Sequence, residues 1–134
     1  MTPLTLEWVN KAEGDFQAMQ WLRQAPAAPC EAVGFHAQQC IEKYMKATLQ
    51  EADIAFPKTR DLEMLLGLLT TADDKWTERR ADVAFLSRFA VEVRYPGVAT
   101  TEDEAEEAAS LCETLRDVIR QGLGLPAEDG GGQA

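Results

Sequence analysis

The sequence predicts an all-α protein, an antiparallel, up-and-down helical bundle of about five helices. Three observations predict it. Apolar residues recur at helical spacing in five successive segments, helix breakers separate those segments, and no stretch shows the period-two alternation with hairpin turns that a sheet requires. Amphipathic helices joined by short loops bury their apolar stripes most simply against one another. No fixed-period repeat is present, which excludes a solenoid.

The first segment carries Trp8, Val9, Ala12, Phe16, Met19 and Leu22 at helical spacing and stops at Ala25-Pro26-Ala27-Ala28-Pro29. The second runs from about 31 to about 53, interrupted only by Gly34 near its start, and ends before Phe56-Pro57. The third begins at Thr59, placed to cap the helix, with Asp61 in the first turn, where a negative charge suits the helix dipole. It carries Leu62, Leu65, Leu66 and Leu69 and dissolves in Thr70-Thr71-Ala72-Asp73-Asp74. The fourth spans about 77 to 95 through Val83, Leu86, Phe89, Ala90 and Val93, and Pro96-Gly97 terminates it. The fifth opens on Thr101-Glu102-Asp103-Glu104, a capping-box pattern, and continues through Ala108, Leu111, Leu115, Val118 and Ile119. The predicted organisation is one domain over 1–124, followed by a flexible tail over 125–134 rich in glycine.

Composition narrows the function classes. The chain has 134 residues, 46% hydrophobic and 27% charged, which is enough for one domain with a core and typical of soluble globular proteins. Its net charge of -10 excludes a broad nucleic-acid surface, because phosphate binding needs clustered Lys and Arg. Cys30, Cys40 and Cys112 are odd in number and lack C-x-x-C spacing, so they suggest neither a disulfide framework nor a zinc site. They read as small buried hydrophobes in a reducing compartment. No signal peptide and no run of roughly 20 apolar residues is present, so the expectation is a cytoplasmic protein with no membrane span.

The second segment is the informative one. At roughly 100° per residue, Val33, Ala37, Cys40, Ile41, Tyr44, Ala47 and Thr48 share one arc, with Met45 and Leu49 at its margin. His36, Gln39, Lys43, Lys46 and Gln50 form a polar stripe opposite, with Phe35 at its edge. Lys and Gln are good helix formers, so a solvated face needs no function. The same residues also suit a phosphate or a base: lysine supplies a mobile point charge, and glutamine supplies paired donor and acceptor groups. From Gly34 to Arg60 the basic residues Lys43, Lys46, Lys58 and Arg60 outnumber the acids Glu42, Glu51 and Asp53, against the trend of the whole chain.

Four short motifs, in order, carry a family resemblance. Phe35-His36-Ala37-Gln38-Gln39-Cys40-Ile41-Glu42-Lys43-Tyr44-Met45-Lys46-Ala47 resembles the FHaQQaaEKalKA signature of HEPN domains, the helical proteins found beside minimal nucleotidyltransferases. Trp8, Ala12 and Asp15 are similar to that family's first helix, Pro57-Lys58-Thr59-Arg60-Asp61-Leu62 to its P-x-T-H-D-L segment, and Arg94-Tyr95-Pro96-Gly97 to its R-Y-P element. The resemblance covers residues 8 to about 120. It implies a helical bundle, usually a homodimer, often encoded beside a nucleotidyltransferase in a toxin–antitoxin pair. Many members are metal-independent RNases that use an Arg followed four to six residues later by His. This chain departs from that pattern: Ala99, Thr100 and Thr101 occupy part of the window after Arg94, His36 is the one histidine, and Arg60 stands where the family places another. Arginine cannot exchange protons near neutral pH, so the usual RNase machinery is missing.

The remaining candidates are weaker. Arg94, beside Tyr95, either pairs with an anion or satisfies the helix dipole and stacks on the tyrosine. The acids Glu102, Asp103, Glu104, Glu106 and Glu107 fit a helix N-terminus far better than a metal site. Gly130 to Gly132 follow no strand and form no phosphate loop.

The expectation is therefore a HEPN-like nucleotide-binding or partner-binding module with no cofactor and no metal. It is expected to form a homodimer, because Phe35 and Leu49 leave the second helix apolar beyond one face, and to associate with a nucleotidyltransferase. The expected nucleotide site is His36, Gln39, Lys43, Lys46, Arg60, Asp61 and Arg94. Lys43, Lys46, Arg60 and Arg94 would hold phosphate, His36 and Gln39 would bond a base or sugar, and Asp61 would orient Arg60. Two alternatives stand beside it: an RNase centred on His36, and a purely structural interaction protein.

Overall fold

The computed structural model describes residues 1–90 and 95–127 and contains five α-helices and no strand among them. Helix α1 is Pro3–Arg23, α2 is Cys30–Glu51, α3 is Leu62–Ala72, α4 is Arg80–Ser87 and α5 is Glu102–Gly122. Short 3₁₀ turns, Asp74–Arg79 and Arg88–Ala90, flank α4. The expected end of the fourth helix, including Val93 and Arg94, lies outside the described residues, as do residues 128–134.

Local chemistry sets the helix ends. Thr2 caps α1, its hydroxyl accepting from the Thr5 amide at 3.1 Å, and Pro3 occupies the first helical position, where a missing N–H costs nothing. The predicted capping box at α5 forms: Thr101 Oγ1 accepts from the Glu104 amide, and Glu104 returns a carboxylate to the Thr101 amide. The start of α3 differs from expectation. Asp61, not Thr59, is the cap, its Oδ1 accepting from the Glu63 and Met64 amides, while Thr59 Oγ1 accepts from the Asp61 amide just ahead of it. An aspartate ahead of a leucine run competes better for these amides than a threonine two residues earlier. The fourth segment likewise starts as a 3₁₀ turn, because Asp73 accepts from the Lys75 amide and Thr77 bonds back to the Asp74 carbonyl, both of which favour a tight turn.

Helices α2 and α5 both end in a pair of reversed hydrogen bonds around a left-handed residue. At α2 the Ile54 amide donates to the Leu49 carbonyl at 2.9 Å across Asp53, whose φ is 58°. At α5 the Leu125 amide donates to the Arg120 carbonyl at 2.8 Å across Gly124, whose φ is 77°. The turn at Asp53 sends residues 53–60 back alongside α2. Phe56 meets the Trp8 ring edge-on at 6.1 Å, and the Arg60 carbonyl accepts from Gln38 Nε2 at 3.1 Å. The expected tail start behaves similarly: Arg120 Nε donates to the Pro126 carbonyl and Arg116 Nη1 to the Ala127 carbonyl.

One buried core joins all five helices: α1 and α5 pack most extensively on α2, and Leu62, Leu65, Leu66 and Leu69 of α3 with Val83 and Leu86 of α4 complete it. Helix α2 is central. Ala37, Cys40, Ile41, Tyr44, Met45, Ala47 and Leu49 are all fully buried. Leu49, expected to leave the helix apolar beyond one face, is covered by its own chain. Contacts from Glu13 to Arg116 and from Arg23 to Glu106 run in opposite senses along α1 and α5, so that pair is antiparallel.

Candidate functional site

Three carboxylates organise the polar groups of α2, and none of the three was a candidate from the sequence. Asp15, on α1, faces two residues two turns apart on α2. Its Oδ1 lies 2.8 Å from His36 Nδ1 and its Oδ2 accepts from Lys43 Nζ at 2.5 Å. A carboxylate can only accept, so Nδ1 carries the proton and Nε2 is the basic nitrogen of the neutral ring. The Phe35 ring meets the His36 ring edge-on at 5.4 Å.

Glu42 gathers the rest of the stripe. Its Oε2 accepts from Lys46 Nζ at 2.9 Å, and its Oε1 is 3.4 Å from the amide nitrogens of both Gln38 and Gln39. Gln39 also donates to Gln38 Oε1 at 2.8 Å, and Gln38 ties the group to the Arg60 carbonyl. The expected stripe is a solvent-facing one, and here the structure corrects it. Lys46 is only 6% exposed and Gln39 only 7%, with Lys46 Nζ held 5.3 Å above the Trp8 ring. Helical periodicity identifies the polar face, but the returning 53–60 segment and Trp8 determine that part of it is interior.

The third carboxylate, Glu13, lies in the core. Arg116 grips it with two hydrogen bonds of 2.7 Å from Nε and Nη2, and Tyr44 donates its hydroxyl to the same carboxylate. Arg120 Nη1 then donates to the Tyr44 oxygen at 2.8 Å, and Phe16 lies 4.1 Å beneath the Arg116 guanidinium. Burial pulls the Arg116 pKa down, but the hydrogen bonds and charge of Glu13 outweigh it and raise it overall. Burial and the Glu13 bond push the Tyr44 phenol well above its ordinary value, Arg120 opposing them. Cys40 is raised too, by burial and then by the neighbouring Cys112 thiol, so it is a buried thiol and not a nucleophile. Glu13 interrupts an otherwise apolar row on α1, which was the one sequence signal for this cluster.

The other expected site residues are dispersed. Arg60 contributes its backbone carbonyl, and its exposed guanidinium has no ion pair among the described residues. Asp61 caps α3 instead of orienting Arg60, because the free amides of the helix end lie within reach of its side chain. Arg94 lies outside the described residues. Of the expected site, the structure brings together His36 with Lys43, and Gln39 with Lys46. No group of three or more His, Cys, Asp or Glu side chains is placed to hold a metal among the described residues. No helix there is long and apolar enough to cross a membrane.

Chemically, the Asp15–His36 pair fixes an imidazole tautomer, and the lysines are neutralised where they stand. A phosphate reaching Lys43 or Lys46 has to displace an intramolecular carboxylate. These features define a helical-bundle protein whose second helix carries its polar signature clasped by carboxylates. A HEPN-domain family profile matches residues 5–122, nearly the whole chain, and the chain belongs to the HEPN domain family. Comparison with curated proteins and with solved structures gives no match.

Proposed function

We propose that this chain is a HEPN-family partner-binding module, the helical member of a toxin–antitoxin pair with a nucleotidyltransferase, and that it acts as a homodimer without nuclease activity. One observation carries the choice of partner binding over nucleotide binding: Lys43 and Lys46 already end on Asp15 and Glu42, at 2.5 and 2.9 Å. A helix whose cations are consumed inside the fold offers little to a phosphate, so the functional surface is elsewhere. The exposed face of α1 supports this reading. Trp21 is 74% exposed, and its neighbours on that face, the exposed Gly14 and Gln17 and the half-buried Ala18, carry no charge on a chain of net charge -10. Exposed aromatics in low-charge surroundings are what the centres of protein interfaces are made of. With Leu49 buried in its own core, this face is the one we assign to a second copy.

Co-expression with a minimal nucleotidyltransferase, followed by co-purification, tests the proposal. The expected result is a stable complex that is weakened by Trp21→Ala, and sedimentation of the free chain as a dimer. A free chain that stays monomeric at micromolar concentration and leaves the transferase in the flow-through overturns it. Saturable nucleotide binding that is lost in Lys43→Ala would instead restore the nucleotide site.

A further inference from the structure

The C-terminal ends of α2, α3 and α5 and the 74–79 turn line a hollow of about 400 Å³. The hollow opens to solvent on one side, its rim formed by the exposed Ala52, Ala72 and Gly122. Small residues keep it open. Thr48 and Ala52 face it from α2, Ala72 from α3, and Gly122 from α5, and a Cβ added at Gly122 would meet nothing within 4 Å. The floor is apolar, with Leu69 and Ile119 at its base. The Trp76 indole forms one wall, packed on the core by one part of its surface.

The mouth is polar and specific in character. Lys75 has no hydrogen bond or ion pair to its ammonium among the described residues, and the nearest carboxylate to Arg79 is Asp82 at 4.0 Å. Of the two acids at the mouth, Asp73 already accepts from the Lys75 amide at 3.1 Å, while Glu78 is exposed. The lining thus carries two cations and two acids in a chain of net charge -10, with Asp82 beside Arg79 and the Lys75 ammonium left to meet an anion.

We propose that this hollow is a binding site for a small amphiphilic anion, a ring system that lies against Trp76 with its carboxylate, sulfonate or phosphate turned toward Lys75 and Arg79. Its volume falls within the range of small-molecule pockets, roughly 300–1,000 Å³, and an apolar floor with a few converging polar groups is their usual composition. The proposal is independent of the partner-binding reading, since none of these residues belongs to the α1 face or to the α2 signature.

Two probes test it: 1-anilinonaphthalene-8-sulfonate and N-phenyl-1-naphthylamine, which has the same rings without the sulfonate. The sulfonate probe is expected to bind saturably at one site per chain and to quench Trp76. Gly122→Leu, which fills the hollow, is expected to weaken both probes by roughly tenfold while the melting temperature holds or rises. Should Gly122→Leu melt early, Ala72→Leu fills the hollow from the opposite wall and serves instead. Replacing both Lys75 and Arg79 by Ala is expected to weaken the sulfonate by about fivefold and the neutral probe by less than about twofold. No saturable binding at millimolar probe, or binding unchanged in both filling variants, overturns the site. Binding lost in Trp21→Ala also overturns it, because the probe then sits on α1. Equal loss of both probes in the Lys75/Arg79 double variant overturns the anionic class.

Discussion

The Phe89 ring lies so close over Gly34 on α2 that a Cβ at position 34 would overlap its Cδ1 and Cε1 carbons. Phe89 is fully buried and its ring packs against Phe85 at 5.7 Å, so it has little room to retreat. Gly34→Ala is expected to destabilise the fold by about 1–3 kcal/mol, the usual cost of overpacking, despite alanine's better helix propensity. Urea denaturation reads this. A second substitution, Phe89→Leu, should cost less in the Gly34→Ala background than in the wild type, and strict additivity would show that the two residues are not in contact.

Glu13 neutralises Arg116 in the core, and each is at most 7% exposed. Glu13→Gln keeps the shape but leaves the buried Arg116 guanidinium with no carboxylate nearer than the exposed Asp117, 3.8 Å from its Nη1. Breaking one partner of a buried pair costs about 3–5 kcal/mol, and that loss is expected in the unfolding free energy. A loss below about 1 kcal/mol would mean that water reaches the cluster and screens it.

Alkaline pH should destabilise the protein. The Tyr44 phenol and the Cys40 thiol both have native pKa values raised above their ordinary 10.0 and 9.0. Each therefore stabilises fully below its unfolded value and loses that contribution as pH climbs toward the native one, because the unfolded chain releases a proton that the native chain keeps. Above pH 9, stability should fall by up to about 1.4 kcal/mol per pH unit for each such proton. Melting curves from pH 8 to 11 measure the slope. Tyr44→Phe should flatten it above pH 10, and an unchanged slope in that variant would assign the loss to other groups.

The two lysines of the α2 signature should behave differently. Lys46→Ala strands the buried Glu42 carboxylate and is expected to cost about 3–5 kcal/mol. Lys43→Ala should cost less, about 1–2 kcal/mol, since its side chain is 23% exposed and water can replace it beside Asp15. Thermal melts of the two variants give the order, and a more damaging Lys43→Ala would reverse the assignment of interior and rim.

RNA cleavage is not expected. Single-stranded RNA incubated with the purified chain should stay intact, because the second proton-transfer group is missing although Asp15 orients His36. Cleavage that survives purification and vanishes in His36→Ala would make that oriented imidazole a catalytic residue.

Helical segments were legible because each has its own apolar period and its own punctuation. The Thr101–Glu104 capping box was readable letter by letter. The α2 signature was legible as a polar face, but not as an interior one. Nothing local to residues 36–46 announces that 53–60 returns to cover Gln38 and Lys46, since that reversal depends on Asp53 adopting a left-handed backbone. Glu13 was harder still. Its charged partners lie on α5, and a lone acid in an apolar row does not say which distant guanidinium will meet it. The Asp61 cap was misassigned to Thr59 because both residues suit the position and only the backbone path decides between them.

The separation of 103 positions between Glu13 and Arg116 also places a demand on synthesis. At about 5–20 residues per second, the carboxylate emerges from the ribosome roughly 5–20 s before the guanidinium that neutralises it. During that interval α1 and α2 can meet, yet closing their shared interface would seal an uncompensated charge in apolar surroundings. An α1–α2 hairpin made before α5 is therefore expected to stay hydrated around Glu13 until Arg116 arrives. A nascent chain stalled before Arg116 is expected to expose that hydrated face of α1 and α2 to proteases, which limited proteolysis of chains ended before residue 116 would read.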